Sequence, residues 1–346
     1  MNHTDKPIIA VTLGDPAGVG PEITLKALKN ERVQQAVRPV VFGDAQVLRQ
    51  AMDITGLRFN LQPLQRIDQA VFEPNTILVV ESDMINAPVQ MGVVQGLCGR
   101  AVFSYLANAT DWTMSGITQA IATAPVSRES LQAGHIPYWD QTEILAKLTQ
   151  TETPLSLLMN GPLRILLYGR PMPFRQAAEH LTVDGLVAAL QRSAEGMRQL
   201  GFERPRLAVA ALNPGDGEDG FFGNEEAAIL APAVAQACRL GLNVKGPAPA
   251  DSLFCQALAG TYDAVLALVH DQRRIAALGY DSQRTIELTL GLPFLHIAAI
   301  HETALEDAGK NIADPAGMIE CLLACSRYGQ TAREFLKRTL DSKMKK

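Results

Sequence analysis

Aromatic residues are scarce in this chain: two Trp, six Tyr and eleven Phe make up 5% of its 346 residues. Charge is modest too. Lys plus Arg is 31 against 36 Asp plus Glu, a net charge of −5. A mildly acidic, aromatic-poor chain lacks both the basic field and the stacking platforms of a general nucleic-acid binder. Charged residues are 19% and hydrophobic ones 47%, a composition that excludes disorder as the main state. No apolar run reaches the length of a membrane span. The opening MNHTDKPIIAVTLGD lacks a long apolar segment and a cleavage pattern, so no secretory signal is expected. The five cysteines, Cys98, Cys238, Cys255, Cys321 and Cys325, are odd in number and scattered. They suit reduced thiols of a cytoplasmic protein rather than a disulfide framework. Cys321 and Cys325 lie one helical turn apart and are expected to be buried core thiols. A phosphate-binding GxxxxGK[ST] loop, a GxSxG elbow and histidines at metal-ligand spacing are all missing.

What is present is alternation. Residues 8–13 (IIAVTL), 40–43, 76–81 (TILVVE), 117–124 (ITQAIATA), 206–212 (RLAVAAL), 264–269 (AVLALV) and 295–300 read as buried strands. Residues 21–28, 45–54, 94–115, 182–200 and 225–240 read as helices, with Pro21 in a first turn and Thr182 as a cap. Two further helices are expected at the carboxyl end. Residues 155–159 and 163–168 read as a hairpin around Asn160 and Gly161. Such alternation gives layered sheets with helices on both faces, and ligands gather beyond the carboxyl ends of the strands. No repeat, low-complexity tract or Pro/Gly/Ser linker divides the chain. A two-lobed subunit is therefore expected, with the chain crossing between lobes more than once.

The loop after the first strand reads GDPAGVGPE. Its glycines suit either close approach of a ligand to backbone N–H groups or a steric need at a strand-to-helix turn. Together with TAPVSRESL, LNPGDGEDGFFGNEE, GPAPADSLF, HDQ, TLGLPF and HETALEDAGKNIADP, in that order, it resembles the 4-hydroxythreonine-4-phosphate dehydrogenase (PdxA) family over roughly residues 8–319. The resemblance implies an α/β fold: a two-lobed α/β/α subunit like isocitrate and isopropylmalate dehydrogenases, with a largely parallel sheet and a central cleft. It implies one PdxA-like unit over residues 1–346, lobe A being 1–125 plus 285–346 and lobe B 126–284. It also implies a homodimer, a nicotinamide cofactor (NAD or NADP), a small anionic substrate, and a divalent metal held by three histidines.

Residue by residue, the family's pattern is only partly kept. Its Gly-His-Thr-Glu reads Asp140-Gln141-Thr142-Glu143, keeping the substrate-binding Thr as Thr142. The first metal His falls in the stretch of residues 168–173, which has none, and the second falls on Gly215. The third is kept as His270. The family's substrate-binding Lys, Asn and Arg fall on Leu278, Glu287 and His296. Its His-Gly-Thr-Ala beside the cofactor becomes His301-Glu302-Thr303-Ala304.

One imidazole cannot hold a catalytic metal alone. No tight metal is therefore expected at the family site, with His270, Asp216 and Asp219 as an alternative oxygen-rich set. The candidate catalytic residues become His270, Glu287 and His296. Substrate-binding candidates are Asp15, Gln141, Thr142, Arg273 and Arg274, the arginines forming with Arg284 a replacement anion site. Cofactor-binding candidates are Asp251, His301, Thr303 and Ala304. The expected activity is an NAD(P)-dependent oxidation of a small hydroxy acid, phosphorylated or not, other than 4-hydroxythreonine 4-phosphate. The alternatives are a binding or regulatory protein that has lost catalysis, and a non-redox activity. No membrane or nucleic-acid partner is expected.

Overall fold

In a computed structural model, residues 6–300 and 303–344 are described, without the side chains of Asp216, Glu218, Asp219 and residues 340–344. They form two compact units, one of residues 1–154 and 292–346, the other of residues 155–291. Among the described residues no helix is long and apolar enough to cross a membrane.

The first unit begins with β1 (Ile8–Thr12), α1 (Gly20–Lys29), α2 (Glu31–Ala36), β2 (Arg38–Gly43), α3 (Ala45–Thr55), β3 (Asn60–Pro63) and β4 (Thr76–Glu81). Then come α4 (Gly96–Met114), β5 (Ala120–Thr123), α5 (Arg128–Ala133) and α6 (Gln141–Leu148). The second unit holds β6 (Leu155–Asn160), β7 (Leu163–Leu167), α7 (Phe174–Glu179), α8 (Val183–Gln199), β8 (Leu207–Ala210), α9 (Ala231–Arg239), β9 (Val244–Ala248), α10 (Ala250–Leu258), β10 (Ala264–Ala267), α11 (His270–Tyr280) and β11 (Ile286–Leu290). The chain returns to the first unit with β12 (Leu295–Ala299) and α12 (Ala316–Met344).

The first unit's strands run β3-β4-β2-β1-β5-β12, every neighbouring pair parallel. Its central strands are apolar and almost wholly buried, as both-faced cover by helices requires. Phe42, Leu78, Leu106, Ile121 and Ile144 meet in one core. Helices α5 and α6 pack on α4. That packing places residues 126–154 with the first unit rather than with the second. Cys321 and Cys325 are fully buried, as expected of core thiols. One long helix, α12, stands where two carboxyl-terminal helices were expected. It lies along β12 and β5, a continuous support that a break would forfeit.

The second unit's strands run β11-β6-β7-β10-β8-β9. Strand β6 is antiparallel to both β11 and β7, and the remaining pairs are parallel. The β6–β7 hairpin is the one read from the sequence. Asn160 does more there than mark a turn: its Nδ2 donates to Ala277 O, Asp281 O and Thr285 Oγ1, tying the end of α11 to the start of β11. Side chains alternate along β11. Leu290 lies under Gly196 of α8, while Glu287 turns to α11 on the other face.

Helices α4 and α5 approach closely at Gly99. A Cβ on Gly99 would stand 1.9 Å from the backbone oxygen of Ser130 and 2.4 Å from its carbonyl carbon. Gly99→Ala should therefore force the helices apart and cost about 1–3 kcal/mol. Urea unfolding should show a lower midpoint at unchanged slope, and an unchanged midpoint would contradict this packing.

Candidate functional site

In the first unit, the loop of residues 14–22 is held from two sides. Asp15 N–H donates to Pro125 O, and Val19 N–H donates to Thr303 O. A Cβ on Gly18 would meet Thr303 Cγ2 at 2.6 Å, so the glycine is needed for close approach of its own chain. Glu22, fully buried, accepts from the backbone N–H groups of Gly309 and Asn311 at 2.6 and 3.1 Å. Lys26 Nζ donates to Asn311 O and Ala313 O. The first and last motifs of the family pattern are thus one interlocked structure.

Asp15 is 0% exposed, and its Oδ1 accepts from Ala17 N–H to shape the turn. Burial pushes its carboxyl above the usual carboxylate range. It faces inward here instead of presenting itself to a substrate. Thr303 is half-buried against the loop, and Ala304 takes a left-handed φ of 42°. His301, the remaining cofactor candidate of this stretch, lies outside the described residues.

Gln141 and Thr142 open α6, both half-buried. Asp140 caps the helix by accepting from Glu143 N–H, and Glu143 returns by accepting from Trp139 N–H. This reciprocal pair is a capping box. Gln141 Oε1 is buried with no hydrogen-bond partner among the described residues.

His296 lies on β12 at 1% exposure, its Nε2 3.0 Å from Thr123 Oγ1 on neighbouring β5. Burial drives its pKa down to about 3, so it is neutral at physiological pH. A histidine sealed between strands has no path to a reacting group. The structure makes it a core residue of the first unit rather than an acid or base.

In the second unit, His270 starts α11 with its side chain 36% exposed and its Nδ1 3.0 Å from Asp271 Oδ1. One turn on, Arg273 points into the sheet. Its Nη1 donates to Ser156 Oγ and lies 3.3 Å from Glu287 Oε1, while the Ser156 hydroxyl donates to that same oxygen. Burial lowers the guanidinium's pKa, and the Glu287 charge opposes that shift. Ser156 carried no signal in the sequence. It faces Thr289 across the β6–β11 pair, and Glu287 lies two residues away on the same face.

The replacement anion site expected from Arg273, Arg274 and Arg284 is not formed. Arg273 is spent on Glu287 and Ser156, and Arg284 is exposed beside Asp281 at 3.9 Å. Asp251 sits exposed in the first turn of α10, where its Oδ1 accepts from Ser252 N–H.

A further missed residue is Glu226. Its carboxylate accepts from Leu212 N–H, Asn213 N–H and Asn213 Nδ2, fixing the loop that follows β8. Burial opposes ionisation of Glu226, but these hydrogen bonds outweigh it and lower its pKa.

The residues present do not fit a three-histidine metal set. Gly215 and Pro171 offer no side-chain donor, and Arg170 is a cation. His270 stands with Asp271, and among the described residues no group of three His, Cys, Asp or Glu could hold a metal ion. The alternative ligands Asp216 and Asp219 lie outside the described side chains.

A parallel α/β sheet with these interlocked loops defines the class of protein. Residues 35–325 match the family of the pyridoxal phosphate biosynthetic protein PdxA. A protein of Halalkalibacterium halodurans named "Putative D-threonate 4-phosphate dehydrogenase" is 41% identical over 324 residues, covering 93% of this chain and 97% of its own. A protein of the same name from Clostridium botulinum is 38% identical, covering 94% and 97%. The crystal structure of a 4-hydroxythreonine-4-phosphate dehydrogenase from Klebsiella pneumoniae superposes with a TM-score of 0.86 at 35% identity, over 94% of this chain and 99% of that one. The chain belongs to the PdxA family.

The buried imidazole gives a pH signature. Its folded pKa is lower than its unfolded one, so its stabilising contribution is complete above pH about 6.5 and declines as pH falls below it. The slope should approach about 1.4 kcal/mol per pH unit for one proton. Chemical denaturation should show this slope in the native chain as pH falls from about 6.5 to 5 (below the unfolded pKa of His), and a shallower one in His296→Leu. Identical slopes would contradict the burial.

Proposed function

We propose that this protein is an NAD(P)-dependent oxidoreductase acting on a small phosphorylated hydroxy acid. Its pocket is proposed to be rebuilt away from 4-hydroxythreonine 4-phosphate. The observation that carries the reading is the likeness to the PdxA frame across nearly the whole chain; the reading takes Thr142, His270, Thr303 and Ala304 as the positions that match the family's motifs in the sequence. Thr303, Ala304, Asp251 and His301 are the residues proposed to hold the nicotinamide cofactor, which when bound accepts the hydride. The substrate's carbinol carbon loses that hydride and its hydroxyl loses a proton. His270 is the proposed proton acceptor, being a solvent-reachable imidazole at the head of α11. Glu287, in the same unit, is the proposed partner of the substrate hydroxyl; Gln141 and Thr142 are proposed substrate-binding residues of the first unit. The protein is proposed to work as a cytoplasmic homodimer without a tightly bound divalent ion.

A second reading has a specific observation in its favour. The substitutions at residues 170, 171 and 215 remove ligands from the family's metal set, as they would in a binding protein freed from catalysis.

Absorbance of NADH or NADPH, followed over a panel of small phosphorylated hydroxy acids, separates the two. One substrate should be turned over undiminished by a chelator, with His270→Gln lowering kcat by about 10²–10⁴-fold. Turnover of 4-hydroxythreonine 4-phosphate should stay below about 1 per second. Thermal stabilisation by members of the panel without any cofactor reduction would establish the binding protein instead.

A further inference from the structure

In the first unit, the loop of residues 303–313 carries three left-handed residues within eight positions: Ala304 at φ 42°, Gly309 at 82° and Asn311 at 59°. For residues with a side chain such backbone is costly, and it persists only where surrounding contacts determine it. Helix α1 supplies those contacts. Glu22, at 0% exposure, accepts from Gly309 N–H at 2.6 Å with Oε1 and from Asn311 N–H at 3.1 Å with Oε2. Both amides belong to left-handed residues. One turn further along α1, Lys26 Nζ donates to Asn311 O at 3.1 Å and to Ala313 O at 2.9 Å. Asn311 is thus gripped at its N–H and at its C=O. Apolar packing would hold the loop against α1 without fixing which way its peptides face, whereas these directional bonds fix that as well. The start of the loop is tied to the same segment, since Thr303 O accepts from Val19 N–H.

We propose that Glu22 and Lys26 are positioning residues for the nicotinamide cofactor. From α1 they preset the left-handed path of the loop, so that Thr303 and Ala304 meet the cofactor in a segment already ordered. Neither side chain touches the cofactor itself. Ordering the loop beforehand removes that cost from the binding step, and loss of the clamp returns it. The inference rests on the reading of Thr303 and Ala304 as cofactor-binding residues proposed above. All of its parts lie within the first unit.

Calorimetric titration of the full chain with NADH and with NADPH, read beside amide hydrogen exchange, tests it. The native chain should bind one of the two. Glu22→Gln should weaken that binding about tenfold or more, because an amide offers one acceptor oxygen where the carboxylate offers two. Lys26→Met should weaken it about threefold. In Glu22→Gln the amides of Gly309 and Asn311 should exchange about tenfold faster or more before any cofactor is added. Gly99→Ala destabilises the same unit at the α4–α5 contact, and it should leave cofactor affinity within about twofold of native. That control separates a loop out of position from a fold merely weakened. With a substrate from the panel, Glu22→Gln should raise the cofactor KM and leave kcat at saturating cofactor within about threefold.

Native-like cofactor affinity in Glu22→Gln would overturn the inference. So would an equal loss of affinity in Gly99→Ala, a loss expressed in kcat instead of KM, or weakened binding with unchanged exchange at Gly309 and Asn311. Should Glu22→Gln fail to fold, Lys26→Met decides alone, since Met keeps the helix and removes the charge; native-like affinity there overturns the inference. A native chain that binds neither dinucleotide up to about 1 mM rejects the oxidoreductase together with the inference. A native chain that binds one of them, with variants that match it, rejects the inference alone.

Discussion

A guanidinium removed from water must be met by a carboxylate, and that requirement organises the polar contact between α11 and the second unit's sheet. Arg273 is drawn beneath α11 to the polar stripe of Ser156 and Glu287. Desolvating such a pair costs several kcal/mol per ion, and removing one partner alone is far more damaging than removing both. The ion pair therefore couples β6, β11 and α11. It also dictates which charge remains accessible. The base is consumed below and the acid is left above, so the residue types alone give the wrong impression of an anion-binding helix.

The first unit rests on a different constraint, close backbone approach. Gly18 abuts Thr303, Glu22 takes the amides of Gly309 and Asn311, and Lys26 takes the carbonyls beyond them. These contacts explain why GDPAGVGPE and HETALEDAGKNIADP belong to one pattern although nearly 300 residues separate them (287 between Glu22 and Gly309). They are two halves of one folded loop system. A motif of this kind reports the frame rather than the chemistry mounted on it.

Much of the fold was legible because the central strands are apolar runs flanked by amphipathic helices. Two of the strands left unread have residues that are neither apolar nor regularly alternating, and the third is short and carries a charge. Strand β3 is the exposed edge sequence NLQP, and β9 is VKGPA with two residues that disfavour strands. Strand β11 (IELTL) was hidden by Glu287, whose charge is compensated only through Arg273 and Ser156, far away in sequence. At the candidate site, the substitutions at Gln141, Gly215 and Glu287 could be located from the order of motifs. The burial of His296 and the inward turn of Asp15 could not. Both depend on which strand or loop lies alongside, information that is absent from local composition.

The same distinction bears on how the geometry of a polar group can be set. A metal-centred pocket draws its geometry from donors that converge on one ion, and losing any donor loosens the whole arrangement. In the second unit, the covalent scaffold sets the geometry instead. The antiparallel β6–β11 pair puts Ser156 beside Glu287, and α11 brings Arg273 onto them. The resulting carboxylate is held by a hydroxyl and a guanidinium on one oxygen, which leaves the other oxygen free to accept a donor. A polar group held by its neighbours in this way keeps a defined position without any ion to organise it.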